Sequence, residues 1–324
     1  MAEATATKQV TLEELLSDMP RNWGRWGDED EIGCLNFLTS EEVLRGVKEI
    51  KDGKIFTLGL PMGSPDGDPV WPGRAQATRL MTQDKSYYRA GKKEPFAGGL
   101  EYADDYITAF LQGSSQYDAL GHTWYGDEIY NGFPADTTTG GMERCGVDKI
   151  AKRGVVGRGV LIDMARHRGK KALDTGETFR LEDLNAAAES QGVSIEKHDN
   201  LLIRTGWLSI FYDEGPDAFF GDTFVEPGLT YSEELVKWFH ETEIVSLTTD
   251  TIANETTADP ETGIVLPLHA ALMRNLGVLL SEIIWLDDLA EDCDADGRWS
   301  FLYAAAPIHV VGGTGAPVNP ICIK

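Results

Sequence analysis

The sequence predicts an α/β fold. Three observations carry the prediction: apolar, β-branched runs in the second half, amphipathic segments alternating with them, and a composition of ordinary globular kind. Hydrophobic residues make up 42% and charged residues 25% of the 324 positions. That is enough apolar surface for a sizeable core and rules out global disorder.

Taken in order, residues 1–35 are polar and carry NWGRWGDEDEIG (22–33), which reads as an irregular N-terminal arm. Residues 36–324 read as a single domain, without an internal repeat or low-complexity linker. Thr39-Ser40-Glu41-Glu42 has the pattern of a capping box and opens a helix to about residue 50. KIFTLGLPM (54–62) reads as a strand, and the Gly-, Pro- and Asp-rich stretch 63–73 as a loop. A long polar region follows, with a basic patch at Arg89–Lys93, before DYITAFLQ (105–112), a predicted strand.

The alternation then becomes regular. GVVGRGVLIDM (154–164) is a buried-strand pattern, LEDLNAAAESQG (181–192) a helix with a glycine stop, and NLLIRTGW (200–207) the next strand. SEELVKWFHETE (232–243) is a helix, IVSLTTD (244–250) a short strand, Pro267–Leu276 a helix and WSFLYAAAPIHV (299–310) a last long strand. Such alternation implies some parallel pairing.

Charge excludes some functions. With 29 basic and 53 acidic residues the net charge is −24, which repels phosphate backbones and anionic headgroups. No nucleic-acid or membrane partner is expected. The start, MAEATATKQVTLEELL, lacks a basic region followed by an apolar stretch, so no secretory signal is expected and the location reads as cytoplasmic. Cys34, Cys145, Cys293 and Cys322 are scattered without a CxxC pair, as expected of reduced, buried thiols.

Six histidines can be weighed singly. His198 and His240 read as surface residues, His167 as a structural loop residue, and His309 alternates within the last predicted strand. His122 ends the run Gln112-Gly-Ser-Ser-Gln116-Tyr-Asp118-Ala-Leu-Gly-His122, directly after the predicted strand 105–112. Asp118 and His122 supply a carboxylate and an imidazole that can orient each other for acid/base work, or simply tie a turn. His269 and Glu282, thirteen residues apart, can return to one locus around Gly277. Asp250 and Glu255 stand nearby as supports for them, or as exposed loop acids. Tyr117, Trp124, Tyr125, Tyr130 and Phe133 suit either a flat ring or core packing.

Several blocks together resemble the cyclase family that includes bacterial kynurenine formamidase, isatin hydrolase and trans-dienelactone hydrolase. Its signature, His-x-Gly-Thr-His-x-Asp-x-Pro-x-His, places its Asp at Asp118 and its last His at His122. Its two earlier histidines fall at Gln112 and Gln116, its Gly-Thr at Ser114-Ser115 and its Pro at Leu120. The family's later His and Glu match His269 and Glu282, and the likeness runs from NWGRWG through GRGVLIDMARHRG and LLIRTGW to GGTGAPVNPI. The resemblance implies a swivelling β/β/α domain assembled as a homodimer or homotetramer. It also implies hydrolysis of a small amide or lactone by water activated on a divalent metal.

The two glutamines change the chemistry. A neutral amide oxygen is a weaker zinc ligand than imidazole, so Gln112, Gln116, Asp118, His269 and Glu282 as a metal set favour Mn²⁺ or Mg²⁺ over Zn²⁺. In the alternative the site is metal-free, with Gln112, Gln116 and His269 binding substrate and Asp118, His122 and Glu282 transferring protons. Hydrolysis of a C–N or C–O bond of a small carbonyl compound is the leading expectation. A cyclase, dehydratase or isomerase using the same groups, and a non-catalytic small-molecule binder, are its rivals.

Overall fold

The computed structural model describes residues 10–65 and 67–324. The first nine residues of the arm, which belong to the start expected to carry no secretory signal, lie outside the described residues, as does Asp66 in the 63–73 loop.

In chain order the strands are β1 (Ile55–Thr57), β2 (Thr78–Gln83), β3 (Asp104–Thr108), β4 (Gln116–Asp118), β5 (Val155–Asp163), β6 (Thr178–Phe179), β7 (Asn200–Arg204), β8 (Gly228–Leu229), β9 (Ser246–Thr249), β10 (Leu279–Glu282), β11 (Ser300–Ala305), β12 (Gly315–Pro317) and β13 (Ile321–Ile323). A nine-stranded mixed sheet runs β1-β13-β11-β5-β7-β9-β10-β4-β12, while β2–β3 and β6–β8 form separate pairs. The block β5-β7-β9-β10 is parallel, and the flanking strands pair antiparallel.

Within the parallel block β5, β7 and β9 answer to predicted strands while β10 does not, and parallel strands are buried on both faces. All but one residue of β5 and every residue of β7, β9 and β10 are buried. Helix Leu181–Gln191 returns the chain from β5 to β7 and ends at Gly192 in the left-handed conformation, as its glycine stop implies. Helix Glu233–Thr242, capped by the Ser232 side chain on the Leu235 amide, leads into β9. Helix Ser40–Val47 lies against β5 so closely that a Cβ on Gly46 would sit 2.6 Å from the Gly157 carbonyl carbon. Only glycine allows that approach.

Several expectations are corrected. Thr39 precedes helix Ser40–Val47 without a side-chain cap bond, so the capping box is not formed. Residues 54–62 give only three strand residues, because Leu58 and beyond turn to pair with the 319–320 segment and Ser115. The predicted strand 105–112 ends at Thr108 and pairs with β2 outside the main sheet, exposed along its length. The predicted last strand stops at Ala305, leaving His309 on an exposed loop. The helix expected at Pro267–Leu276 is present over those residues, but from His269 to Leu276 it has the wide turns of a π-helix. Such widening recurs at functional sites.

The described arm residues, 10–35, pack on the body. Leu16, Met19, Cys34 and Leu35 join the main core. Asn22 donates to the Leu276 carbonyl at 2.8 Å and Trp23 to the Arg274 carbonyl at 2.9 Å. All four cysteines are free and buried, and burial pushes the Cys293 thiol up to about 12, so it stays protonated and inert. Among the described residues no helix is long and apolar enough to cross a membrane.

Candidate active site

Sheet register assembles the site. Gln116 and Glu282 are direct partners across the β4–β10 pair, so their side chains share one face. Asp118, two residues on, shares it too, whereas Tyr117 points the other way and meets the Tyr303 hydroxyl at 2.9 Å in the core. His269 enters from the start of the π-helix. Asp118, His269 and Glu282, all buried, bring one ligand atom each within 4.8 Å of one another.

Glu255 sets the imidazole. Its carboxylate accepts from the Leu268 amide (2.7 Å), the His269 amide (2.8 Å) and His269 Nδ1 (2.7 Å). One side chain thus satisfies the open amides of a helix start and fixes the ring, a double use that helix termini favour. His269 Nε2 is left facing Glu282 Oε1 at 3.2 Å and Asp118 Oδ2 at 4.0 Å. An imidazole held at one nitrogen by a carboxylate, with the other turned to acidic oxygens, is the arrangement of metal-ligating histidines. The acids read as candidate supports or exposed loop residues are therefore both buried, but only Glu255 supports His269. Asp250 instead accepts from the Thr205 and Gly206 amides at 2.8 and 2.6 Å, holding the turn after β7.

Gln116 Nε2 donates to Glu282 Oε2 at 2.7 Å. The oxygens Gln116 Oε1, Asp118 Oδ1 and Glu282 Oε1 are buried without a hydrogen-bond partner among the described residues. The fully buried Glu226, which the sequence reading missed, has one oxygen on the Ile252 amide at 2.8 Å and the other unpartnered. Its signal was legible: an acid embedded in the apolar run Phe224-Val225-Glu226-Pro227-Gly228-Leu229.

The other motif residues lie differently from expectation. Asp118 and His122 are near enough to feel each other's charge, but no hydrogen bond joins them among the described residues. The half-buried His122 instead has Nδ1 3.4 Å from Gln112 Nε2, which also donates to Thr314 Oγ1 at 2.9 Å. Gln112 therefore stands outside the Asp118–His269–Glu282 group, on the His122 side. Within the motif only Gln116–Asp118 form a sheet strand, and Gln112–Ser115 and Ala119–His122 are the turns on either side of it. Of the nearby aromatics, Tyr125 bonds Asn275 and covers Arg274, and Tyr130 bonds Asp30. Trp124 is exposed.

Electrostatics single out the group. Burial pushes Asp118 up to about 6; Glu282 adds to the shift, and His122, His269 and Arg74 oppose it. Burial and proximity to Glu282 likewise push Glu226 well above the carboxylate range. Burial alone would lower His269, but Glu255 and Glu282 outweigh it and drive the imidazole well above its usual value. Burial also lowers His122, helped by the charges of His269 and Arg74, so it is neutral at neutral pH. Among the described residues no Lys or Arg forms an ion pair with Asp118, Glu226, Glu255 or Glu282; His269 is the ion-pair partner of Asp118, Glu255 and Glu282. Buried acids in such excess call for a positive charge. The donor set of one imidazole, two carboxylates and an amide oxygen nearby fits a divalent cation that takes mixed nitrogen and oxygen ligands.

Comparisons with known proteins agree with the fold. The cyclase family matches residues 56–256. A crystal structure described as a novel cyclase is 36% identical, covers 94% of this chain and 100% of its own, and superposes with a TM-score of 0.85. Isatin hydrolase A from Labrenzia aggregata, solved with benzyl benzoate, is 20% identical over 83% of this chain and 93% of its own, TM-score 0.60. An isatin hydrolase bound to the product analogue thioisatinate is 16% identical over 88% and 98%, TM-score 0.59. No curated protein matches the sequence. By the extent of the family match and the 36% identity over nearly its whole length, this chain belongs to the cyclase family.

Proposed function

We propose that the chain is a hydrolase that cleaves a C–N or C–O bond of a small carbonyl compound at the Asp118–His269–Glu282 group. The observation that carries the reading is the convergence of buried acid oxygens without partners on one imidazole already oriented by Glu255. The shared fold of the isatin hydrolases supports it. Asp118, His269 and Glu282 would hold a divalent cation, Mn²⁺, Zn²⁺ or Mg²⁺. When bound, it supplies a Lewis acid that polarises the substrate carbonyl and acidifies a water.

The protein's own groups do the rest. Glu255 keeps the Nδ1 proton of His269 engaged, so Nε2 faces inward. Gln116 occupies Glu282 Oε2, leaving Oε1 toward His269. His122, neutral and half-buried, is placed to take a proton from water and return it to the leaving group. Gln112 lies against His122 Nδ1 and is itself tied to Thr314; in the reacting tautomer the amide oxygen accepts the Nδ1 proton, which leaves Nε2 free to take the proton from water.

The test is turnover of a panel of small amides and lactones in ¹⁸O-labelled water. Hydrolysis places label in the product carboxylate, whereas product without label assigns ring closure or isomerisation instead. His122→Ala should lower kcat by about 10²–10⁴-fold with the fold intact by circular dichroism. Turnover near the wild-type rate in that variant would refute the role given to His122.

A further inference from the structure

The loop before β2 builds a second feature beside this group. Trp71-Pro72-Gly73-Arg74 closes with the Arg74 amide on the Trp71 carbonyl at 3.0 Å. Proline at the second place and Gly73 at φ 97° in the third have the pattern of a type II turn. The turn is clamped, because the Asp68 carboxylate accepts from the Gly63 and Ser64 amides at 2.9 and 3.2 Å. Gln76 bonds both the amide and the carbonyl of Asp68, at 2.6 and 3.0 Å. Trp71 and Arg74 are therefore presented together by a preorganised loop, as ligand sites require.

They line a cavity of about 420 Å³ whose other wall is Phe220 and Phe224. Trp71 meets Phe224 edge-on at 5.6 Å, and the two phenylalanines lie 5.7 Å apart. Asp222 is exposed at the rim, where solvent screens it. Arg74 is half-buried and bonds the Gln112 carbonyl at 2.9 Å. It forms no ion pair among the described residues, in a chain that carries 53 acids. Its charge reaches both Asp118 and His122. A guanidinium with N–H groups to spare, set into aromatic walls, is built to receive a planar anion.

We propose that this cavity is the substrate subsite and takes a small flat ring carrying a carboxylate, with Arg74 on the carboxylate and Trp71 and Phe224 against the ring. The proposal rests on the reading of the neighbouring group as the reaction centre, and its test requires no turnover. Benzoate and benzamide have the same ring and size but differ in charge, so each is titrated calorimetrically into the purified protein. Benzoate should bind about tenfold more tightly than benzamide. Arg74→Met should erase that preference, and Trp71→Ala should weaken both ligands. Asp118→Asn should leave the preference in place. Binding of neither probe, equal binding of both, or a preference that survives Arg74→Met would overturn the proposal. So would a preference lost in Asp118→Asn but kept in Arg74→Met, which would seat the anion at the acid group. None of these results decides whether that group hydrolyses anything, which the labelled-water experiment reads separately.

Discussion

Two imidazoles in this molecule each lie between two glutamates, yet only one belongs to a candidate reaction centre. His198 has Nδ1 2.9 Å from Glu42 and Nε2 3.1 Å from Glu243, and stacks on Phe37 at 4.8 Å. His269 has Nδ1 2.7 Å from Glu255 and Nε2 3.2 Å from Glu282. The difference is in what balances the acids. Glu42 is also paired with Arg45 at 2.6 Å, and Glu243 with Arg25 and with Lys197 at 3.1 Å. Burial works against the Glu243 charge, but these partners and His198 hold it down at about 2. At His269 no Lys or Arg among the described residues pairs with the acids, and Asp118 and Glu226 add to their number. A histidine between carboxylates is therefore not itself a site. Uncompensated buried charge distinguishes the site from a structural tie.

That contrast can be broken by mutation. The largest effect is expected for Glu255→Gln, which keeps a hydrogen-bond acceptor but removes the charge behind His269. It should weaken divalent-cation affinity about 10–100-fold, measured by calorimetry, while Glu243→Gln leaves it unchanged.

Stability should then move in opposite directions at the two places. In EDTA-treated protein at a pH well above 6, Asp118→Asn should raise stability in urea by up to about 3 kcal/mol. The basis is that a carboxylate displaced from 3.8 to about 6 by burial costs free energy when charged. Glu243→Gln should lower stability by about 1 kcal/mol, since it removes a partly exposed, multiply paired carboxylate.

The smallest effect is in acid. The folded state holds Glu243 at about 2 against an ordinary 4.5. Its stabilisation is therefore fully present above 4.5 and lost as pH falls through that window toward 2. Urea titrations across the window should show Glu243→Gln with a flatter loss of stability than the wild type.

How much of this was legible in the sequence follows from strand length and burial. β5 and β7 announce themselves because parallel strands buried on both faces carry apolar, β-branched runs, and β9 does so through the Ile244-Val245 pair that leads into it. β4, β10, β12 and β13 have only three or four residues, too few for a period. In β4 and β10 some of those residues are polar for the sake of the site: Gln116 and Asp118 in one, Glu282 in the other. The Asp104–Thr108 strand shows the reverse error, an apolar-looking run that stays exposed in a side pair. Spacing alone left Asp118, His269 and Glu282 as separate candidates, and family resemblance gathered them into one set. It did not show that Gln116 would serve Glu282 or that Gln112 would turn to His122, because those roles depend on sheet register and on Thr314. Arg74 was hidden because a lone arginine in a polar loop carries no pattern.

Calorimetric titration of Mn²⁺ into EDTA-treated protein, wild type beside Asp118→Asn and Glu243→Gln, tests the charge argument most directly. One saturable site is expected in the wild type, retained in Glu243→Gln and lost in Asp118→Asn. Absence of a site in the wild type, or equal binding in Asp118→Asn, would contradict it.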